Sequence, residues 1–489
     1  MVDDHDRRYK WIVLFITSIG AMMAPLDGSI VSVSLPAITT TLKMDYALVI
    51  WVPTGYLVTL AVLLLIIGRL SDIRGRKSIF IAGFSIFVLG SFLCSIAQTG
   101  LQLILFRILQ GAGGAFIAST STAIVTDVFP SNERGKALGI NIMAVYIGGA
   151  IGPTLGGILT HTFGWRSIFW VNIPIGLLVI FLSLLNLKES KKSSPGEPFD
   201  VIGAIMFSIG LVSLLIAMTF GEMIGWTSLP VIALFTLAFT SFALFVPIEV
   251  KKGESAMFNL ALIVHNRLFA AANISALMNY TAFFAISFTI SFYLQKVLLL
   301  SPMQAGLVLL STPVAMTILT PISGWASDKI GSRILSTTGM LVIVIGLLLL
   351  STLNLNSSPM VVITYLLIVG CGMGLFSAPN TSAVMGSVGK KYLGVASGMI
   401  ATMRTTGMSL SLAVTGAVIA TVASSQVVTN LFAGANPSEV AIESAAYVNG
   451  MSLAFIVCAG IAAIGAIFSL LRESAKPTSG KSPIVEKKE

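Results

Sequence analysis

Residues 68–77 read G-R-L-S-D-I-R-G-R-K, a polar turn that joins two long apolar runs. The pattern recurs at 324–333 as G-W-A-S-D-K-I-G-S-R, again between apolar runs. Glycine, serine, aspartate and a final cation fall at matching positions in both copies. Glycine lets the backbone reverse tightly, and an aspartate satisfies free N–H groups at a helix start. The repeat indicates that one half of the chain was built as a copy of the other.

The composition is that of a membrane protein. Of the 489 residues, 55% are hydrophobic and 10% are charged, and the mean hydropathy is +0.94. A helix needs about 20 apolar residues to cross a bilayer, and the sequence contains fourteen such runs. We therefore predict an all-α membrane protein with fourteen transmembrane helices.

The distribution of cations predicts the orientation of these helices. Most Lys and Arg residues fall in alternate connections, which the positive-inside rule assigns to the cytoplasm. Both termini are then cytoplasmic in a multi-pass protein of the plasma membrane. The formal charge of +9 is explained by this bias, and we expect no nucleic acid partner.

The chain is expected to divide into two six-helix bundles with two extra helices between them. The predicted segments are an N-terminal bundle at 1–188, a linker with the two extra helices at 189–266, a C-terminal bundle at 267–472 and a cytoplasmic tail at 473–489. The polar, proline-bearing stretch K-E-S-K-K-S-S-P-G-E-P-F-D marks the linker. Glu249, near the end of the second extra helix, is expected to lie at the membrane interface.

Asp27 is the acidic residue that lies well inside an apolar run, within L-D-G-S-I-V-S-V-S-L-P. An ionisable side chain at this depth is costly and usually functional. Burial favours its neutral form unless a cation lies near, as a reversible proton carrier requires. Arg107 in the fourth run lies at nearly the same depth at 1.5 Å per residue. We predict that Asp27 and Arg107 couple transport to protons; a permanent structural ion pair is the alternative.

Conserving the turn between halves suggests a charged gate on the cytoplasmic side. Asp127 ends the fourth run, and we expect it to pair with Arg76 in one state and to separate in the other. An exposed pair of little energetic weight is the alternative. The predicted inner gate consists of Gly68, Asp72, Gly75, Arg76, Asp127 and Asp328.

The fifth run contains G-G-A-I-G-P-T-L-G-G at 148–157. Glycines spaced four apart line one helix face and allow another helix to pack at backbone contact, and proline bends the axis. The predicted outer-gate packing residues are Gly148, Gly152, Pro153, Gly156 and Gly157. Packing of small residues without a gating role is the alternative.

Arg404 lies near the middle of the thirteenth run, in a half without an acid deep in a helix. Such a cation needs an anion, backbone carbonyls or a water-filled cavity. We favour a cavity, with carbonyl bonding as the alternative. Polar and aromatic residues suit an amphipathic ligand, or else pack in the core. The predicted cavity residues are Tyr56, Asn279, Tyr280, Phe283 and Arg404.

No cofactor or metal site is expected. The three cysteines lie inside predicted helices, which argues against a disulfide framework, and the three histidines form no ligand cluster. The sequence contains no G-x-x-x-x-G-K-[ST] nucleotide-binding run. A membrane-embedded enzyme is disfavoured because no Ser-His pair shares one depth.

These motifs resemble the signatures of the major facilitator superfamily, in particular its fourteen-helix drug:proton antiporter branch. The turn at 68–77 resembles the loop signature, and L-I-L-F-R-I-L-Q-G-A-G-G-A at 103–115 resembles the helix-four signature. The stretch at 148–157 matches the antiporter signature at every glycine and at the proline. The first-run segment around Asp27 and G-W-R-S-I-F-W-V-N-I-P-I-G at 164–176 resemble marks of the branch.

The resemblance implies a proton site at Asp27 with Arg107 as its partner. It implies an inner-gate network around Arg76 and a packing seam at 148–157 that closes the outer side. The expected function is proton-coupled export of lipophilic or amphipathic compounds by a monomer, driven by alternating access. An exporter or flippase of a lipid, glycolipid or organic anion is the alternative.

Overall fold

The structure is a computed structural model that describes residues 4–129, 134–189, 200–252, 266–388, 393–423 and 437–472. The first bundle contains α1 Asp4–Leu42, α2 Tyr46–Arg74, α3 Arg76–Ile96, α4 Gly100–Val128, α5 Arg134–Phe163, α6 Ser167–Trp170 and α7 Asn172–Asn186. The extra helices are α8 Val201–Ile224 and α9 Leu229–Lys252.

The second bundle begins with α10 Arg267–Phe283 and α11 Ala285–Phe292, which continues into a π-helical turn, Tyr293–Val297. It continues with α12 Pro302–Leu309, α13 Ser311–Ile330, α14 Ser332–Leu350, α15 Pro359–Gly386, α16 Leu393–Val422 and α17 Pro437–Leu471. Some predicted boundaries fall beyond this part of the chain, and the tail at 473–489 lies wholly outside the described residues.

Thirteen helical segments within the described ranges are long and apolar enough to cross a membrane. The fourteenth span is α2, whose described residues include the apolar helix Leu48–Leu64. Several helices begin with a side-chain cap, as the sequence requires at a turn. Asp45 accepts from the Leu48 amide at 2.8 Å, and Ser301 and Gln304 form a reciprocal capping box.

Packing within each bundle is extensive. In the first bundle α1 packs on α5 and α4, and α4 also packs on α2 and α3. In the second bundle α15 packs on α13 and α14, while α10 packs on α16 and α17. The bundles meet where α5 contacts α12, α2 contacts α16 and α1 contacts α11. The extra helix α8 packs on α9, α2 and α16, so it touches both bundles.

Two faces of the molecule serve as references below. The proximal face is the one where α1 begins, and Tyr9 there accepts a hydrogen bond from the Lys188 amide just beyond α7. The distal face is the opposite one, where α1 ends at Leu42 and α5 ends at Phe163. The sequence-based orientation would make the proximal face cytoplasmic.

Candidate functional site: a buried ion pair between helices α1 and α4

Asp27 and Arg107 form an ion pair inside the first bundle. Arg107 Nη1 lies 2.5 Å from Asp27 Oδ2, and each side chain is only 1% exposed. Removing two charges from water is costly, and the pair repays that cost only when further hydrogen bonds satisfy the remaining polar atoms. The neighbouring side chains supply those bonds.

Three N–H donors converge on the Asp27 carboxylate. Besides Arg107, Gln110 Nε2 donates to Oδ1 at 2.9 Å and Asn172 Nδ2 donates to the same oxygen at 2.8 Å. Gln110 also accepts from Arg107 at 2.6 Å, so it contacts both members of the pair. Ser91 accepts a second hydrogen bond from Gln110 Nε2 at 2.8 Å. Donors favour the charged carboxylate, and the arrangement therefore corresponds to ionised Asp27.

Helix α2 covers the guanidinium of Arg107. The Arg107 Nε atom donates to the Val52 carbonyl at 3.3 Å, and the guanidinium carbon lies 4.4 Å from the centre of the Tyr56 ring. This approach depends on α4 glycines, because a Cβ on Gly111 would lie 2.5 Å from the Tyr56 carbonyl oxygen. A Cβ on Gly114 would lie 2.6 Å from the Tyr56 hydroxyl. The glycines of the 103–115 stretch thus admit the aromatic cover over the cation.

The arrangement can store a proton but offers no metal site. Protonation would turn one acceptor oxygen of Asp27 into a donor and remove the charge that attracts Arg107. No group of three or more His, Cys, Asp or Glu side chains that could hold a metal occurs among the described residues. The geometry is therefore suited to reversible charge neutralisation inside a dry bundle.

Arg76 and Asp127 form an ion pair at the proximal face, as the sequence predicts. The Arg76 guanidinium contacts the Asp127 carboxylate and also donates to the Ala123 carbonyl at 3.1 Å. The Asp127 side chain is 39% exposed, so solvent screens the pair. The side chains of Asp72 and Asp328, two further predicted gate residues, lie outside the described part of the chain.

The two copies of the polar turn fold alike. Gly75 has φ +108° and Gly331 has φ +89°, values in the region that favours glycine. The Gly75 amide donates to Ser71 and the Gly331 amide donates to Ser327, both at 3.0 Å. Gly68 lies inside α2, where a Cβ would meet open space, so packing does not require a glycine there.

One difference separates the two turns. Glu189, beyond the end of α7, accepts from the Lys77 amide at 3.0 Å and from the Ser78 amide at 3.2 Å. The Ser78 hydroxyl donates to the same carboxylate at 2.6 Å. A Cβ on Gly75 would collide with this carboxylate, whereas a Cβ on Gly331 would meet nothing within 4 Å. The first turn is thus fastened to the end of α7 by a cap on α3.

The glycine seam of α5 has two faces. Gly148, Gly152 and Gly156 lie against α1, where added Cβ atoms would collide with Met22, Ser29 and Ile30. Gly157 lies against α12 of the other bundle, where a Cβ would lie 2.5 Å from the Pro302 carbonyl oxygen.

Pro153 lies on the same face as Gly157, because a Cβ on Gly306 of α12 would collide with its carbonyl oxygen. A hydrogen bond of 2.8 Å from Gln295 Nε2 to the Val33 carbonyl adds a second link between the bundles. The bundles are therefore in close contact at the distal face.

A polar cluster lies where α5 meets the second bundle. The Tyr146 and Ser377 hydroxyls are 2.7 Å apart and link α5 to α15. Arg404 and Tyr280 both lie close enough to Tyr146 to interact electrostatically with its hydroxyl. Arg404 is half-buried and forms no ion pair with the described residues.

The other predicted cavity residues are distributed over several environments. Asn279 is fully buried and donates to Met340 Sδ at 3.0 Å, inside the second bundle. Tyr280 and Phe283 are half-buried. Tyr56 lies against Arg107 and is 3% exposed, so it belongs to the ion-pair site rather than to the polar cluster.

Glu249 corrects an expectation from the sequence. It is not interfacial but buried, with 1% of its side chain exposed. The reason is that the last turn of α9 packs against the start of α8, which carries Asp200. This contact brings a second acid to within hydrogen-bonding distance.

Sequence reasoning did not single out Gln110, Asn172, Tyr146 or Glu189. Gln110 lies three residues after Arg107 and therefore on the same face of α4, which was an available signal. Asn172 lies within the quoted 164–176 stretch, so the motif was found but the role of its amide was not. Tyr146 and Glu189 make contacts across more than 100 residues, which local patterns do not reveal.

Comparisons with known proteins agree on the family. The model of the Major Facilitator Superfamily matches residues 17–412 and 274–489. The riboflavin transporter RibZ of Clostridioides difficile is 35% identical over 83% of this chain and 87% of its own length. The multidrug resistance protein Stp of Mycobacterium tuberculosis is 33% identical over 84% and 76%, respectively. The multidrug transporter protein MdtP of Bacillus subtilis is 32% identical over 82% and 74%.

A solved structure supports the fold alone. The inward-facing bacterial homologue of the human lysosomal transporter Spinster has a TM-score of 0.70 at 16% identity, over 95% of this chain and 97% of that one. Together with the two six-helix bundles and the matched family model, these similarities identify the fold and the class. The chain belongs to the Major Facilitator Superfamily, whose members are transporters and not enzymes.

Proposed function

We propose that this protein is a proton-coupled antiporter that exports lipophilic or amphipathic small molecules by alternating access. The observation that carries the proposal is the Asp27 carboxylate, which is buried and held by Arg107, Gln110 and Asn172. The cation distribution supports a plasma-membrane protein with both termini in the cytoplasm. We further propose that it acts as a monomer with the inner and outer gates named above.

The charge of Asp27 would control the cycle. In the ionised state the carboxylate attracts Arg107 and ties α1 to α4. A proton taken up from outside would neutralise Asp27, weaken that attraction and release α1. Loss of the proton to the cytoplasm would restore the ion pair. A buried pair broken on one side costs roughly 3–5 kcal/mol, which is ample to bias two conformations.

Helix α1 provides a physical path from the proton site to the other bundle. Val33 lies less than two turns beyond Asp27, and its carbonyl accepts the Gln295 hydrogen bond from the second bundle. Gly148, Gly152 and Gly156 hold α5 against the same part of α1. A shift of α1 would therefore strain the distal contact between the bundles.

The names of two similar proteins support export of diverse compounds. Stp is named a multidrug resistance protein and MdtP a multidrug transporter. We carry that substrate class over to this chain as part of the proposal.

A second candidate is transport of an organic anion or lipid. It is favoured by Arg404, which lies near Tyr146 and forms no ion pair with the described residues. A mid-membrane cation in this state is suited to an anionic ligand group. The similar protein RibZ, named a riboflavin transporter, also points toward planar polar compounds.

Purified protein in proteoliposomes tests the first proposal. An imposed pH gradient should drive ethidium transport, and ethidium should in turn drive proton movement reported by a lumenal pH dye. Asp27→Asn should abolish both fluxes while ethidium binding remains measurable. Asp127→Asn, a carboxylate change outside the buried site, serves as the control and should leave proton coupling in place. Wild-type proton exchange by Asp27→Asn would refute the mechanism.

Riboflavin and a fluorescent anionic lipid, tested in the same vesicles, separate the two candidates. If the substrate is anionic, these probes should move in place of ethidium, and Arg404→Gln should abolish their transport. If the substrate is a lipophilic cation, Arg404→Gln should leave ethidium transport intact or increase it, because a repelling charge is removed.

A further inference from the structure

A second buried acidic cluster lies at the proximal ends of the two extra helices. Asp200 caps α8, and its Oδ1 atom accepts from the Gly203 amide at 2.8 Å and from Lys252 Nζ at 2.5 Å. Lys252 is the last residue of α9, and Glu249 lies one turn before it. Asp200 is 3% exposed and Glu249 is 1% exposed. The start of α8 and the end of α9 therefore share one ion pair and one additional acid.

The two carboxyl groups face each other above Gly203. A Cβ placed on Gly203 would lie 2.6 Å from Asp200 Oδ2 and 2.6 Å from Glu249 Oε1, so both oxygens border the same point. The two carboxyls lie within hydrogen-bonding distance of each other. Asp200 Oδ2 is buried and accepts no hydrogen bond from the described donors. An oxygen in this position lacks a proton-bearing partner.

Charge balance requires that partner to be a proton. Two adjacent carboxylates cannot both ionise without a large penalty. We propose that Asp200 and Glu249 hold one proton between them and form a second proton-binding site, separate from Asp27.

The surrounding donors indicate which acid carries the proton. Burial opposes ionisation of Asp200, but the hydrogen bonds from Lys252 and the Gly203 amide outweigh it and lower the pKa of Asp200. The proton therefore resides on Glu249, whose O–H donates to Asp200 Oδ2. This arrangement satisfies the oxygen that otherwise has no donor and leaves the cluster neutral.

No other described charge neutralises the pair. Lys251 on α9 is exposed. Helices α2 and α16 pack on α8 and carry Arg74 and Arg404, but neither forms a hydrogen bond or ion pair with these acids among the described residues. The proton is the ligand that this chemistry selects.

The position of the cluster gives the proton a structural effect. Helix α8 touches both bundles, because Phe207, Leu211 and Leu215 share one apolar cluster with Val58 of α2 and Ala413 of α16. The protonated carboxyl pair fastens α9 to α8. Loss of the proton introduces repulsion at that joint, which loosens the extra helix pair where it spans the two bundles.

Thermal unfolding of the full-length protein as a function of pH tests the site. A group that keeps its proton in the folded state stabilises the fold at low and neutral pH, and this contribution is lost as pH rises past proton release. Wild-type protein should therefore lose stability on the alkaline side. Glu249→Gln mimics the protonated acid, so it should match the wild type at neutral pH and lose the alkaline decrease. Glu189→Gln, an exposed acid at the same face, should keep it.

Infrared spectroscopy supplies a second readout that does not depend on the folding of Glu249→Gln. In Asp27→Asn protein at neutral pH, a protonated-carboxyl band should remain and should disappear on alkaline titration. Absence of that band would overturn the proposal, as would its persistence in Glu249→Gln protein. Stability that follows the sodium concentration instead of pH would also overturn it, because a metal cation would then occupy the position of the proton.

Discussion

Asn172 Nδ2 lies 2.8 Å from Asp27 Oδ1 and reaches this carboxylate from α7, whereas Arg107 binds the other oxygen from α4. The acid is therefore held by two helices that approach it independently. The electrostatic attraction of Arg107 is not the sole interaction that favours the ionised form. The amide on α7 sets how readily a proton can be taken up.

Asn172→Ala should shift the pH dependence of transport to more alkaline values. A hydrogen bond to a charged group contributes roughly 1.5–3 kcal/mol, and 1.36 kcal/mol corresponds to one pH unit. Removing this donor favours the protonated acid, so the midpoint should rise by about one to two pH units. The measurement is the ethidium transport rate in proteoliposomes across a pH series. Asn186→Ala is the control, since Asn186 donates within α7 to Leu182. An unchanged or more acidic midpoint would contradict the prediction.

Gly157→Val and Gly148→Val should have different effects, although both residues lie on α5. Gly157 faces α12 of the other bundle, so its variant should separate the bundles at the distal face. Spin labels at Thr162 and Leu299, in a background without native cysteines, should report a longer distance. Gly148 faces α1 within one bundle, so its variant should instead lose about 1–3 kcal/mol of stability from overpacking.

Gly149→Ala is the matched control for this pair, because a Cβ there would meet nothing within 4 Å. It should change neither the label distance nor the melting temperature. If the Gly157 and Gly148 variants gave the same change in distance, the two-faced description of α5 would be wrong.

Gly75→Ala should be more destabilising than Gly331→Ala. Both glycines have positive φ, so alanine is strained at either position. Only the Gly75 variant would in addition drive its methyl group into the Glu189 carboxylate and displace the cap on α3. The excess should be about 0.5–2 kcal/mol, the cost of losing a helix cap. Unfolding of the two variants, measured side by side, isolates this difference.

Glu189→Ala provides the cross-check. Combined with Gly75→Ala it should cost less than the sum of the two single changes, because the residues are in contact. Strict additivity would show that Glu189 does not act through the turn.

Reversing the Arg76–Asp127 pair should test the proposed inner gate. Arg76→Asp and Asp127→Arg should each slow transport, because like charges then face each other at the proximal face. The double reversal should recover part of the rate. Each single change should alter stability by no more than about 1 kcal/mol, since the pair is partly exposed. Equal rates in all three variants, measured by ethidium transport, would exclude a gating role for this contact.

The family and membrane architecture followed from local sequence features. Apolar runs of sufficient length have to form helices in a bilayer, because no water is present to satisfy the backbone. The turn at 68–77 and its copy predicted two related bundles, and Gly75 and Gly331 adopt matching positive φ values. Asp27 and Arg107 were paired correctly because helix rise alone sets their depths, and depth suffices when charges seek partners in an apolar medium.

The tertiary structure decided which groups surround each charge. Helical depth does not define rotation about the axis, so the sequence placed Tyr56 in the cavity although its ring covers Arg107. It also assigned Glu249 to the interface, because the approach of α9 to the start of α8 depends on packing between helices. Asn172 and Glu189 complete sites whose other members are more than 100 residues away. Sequence patterns thus determined the helices and their depth, and side-chain packing between helices determined the chemistry of the sites.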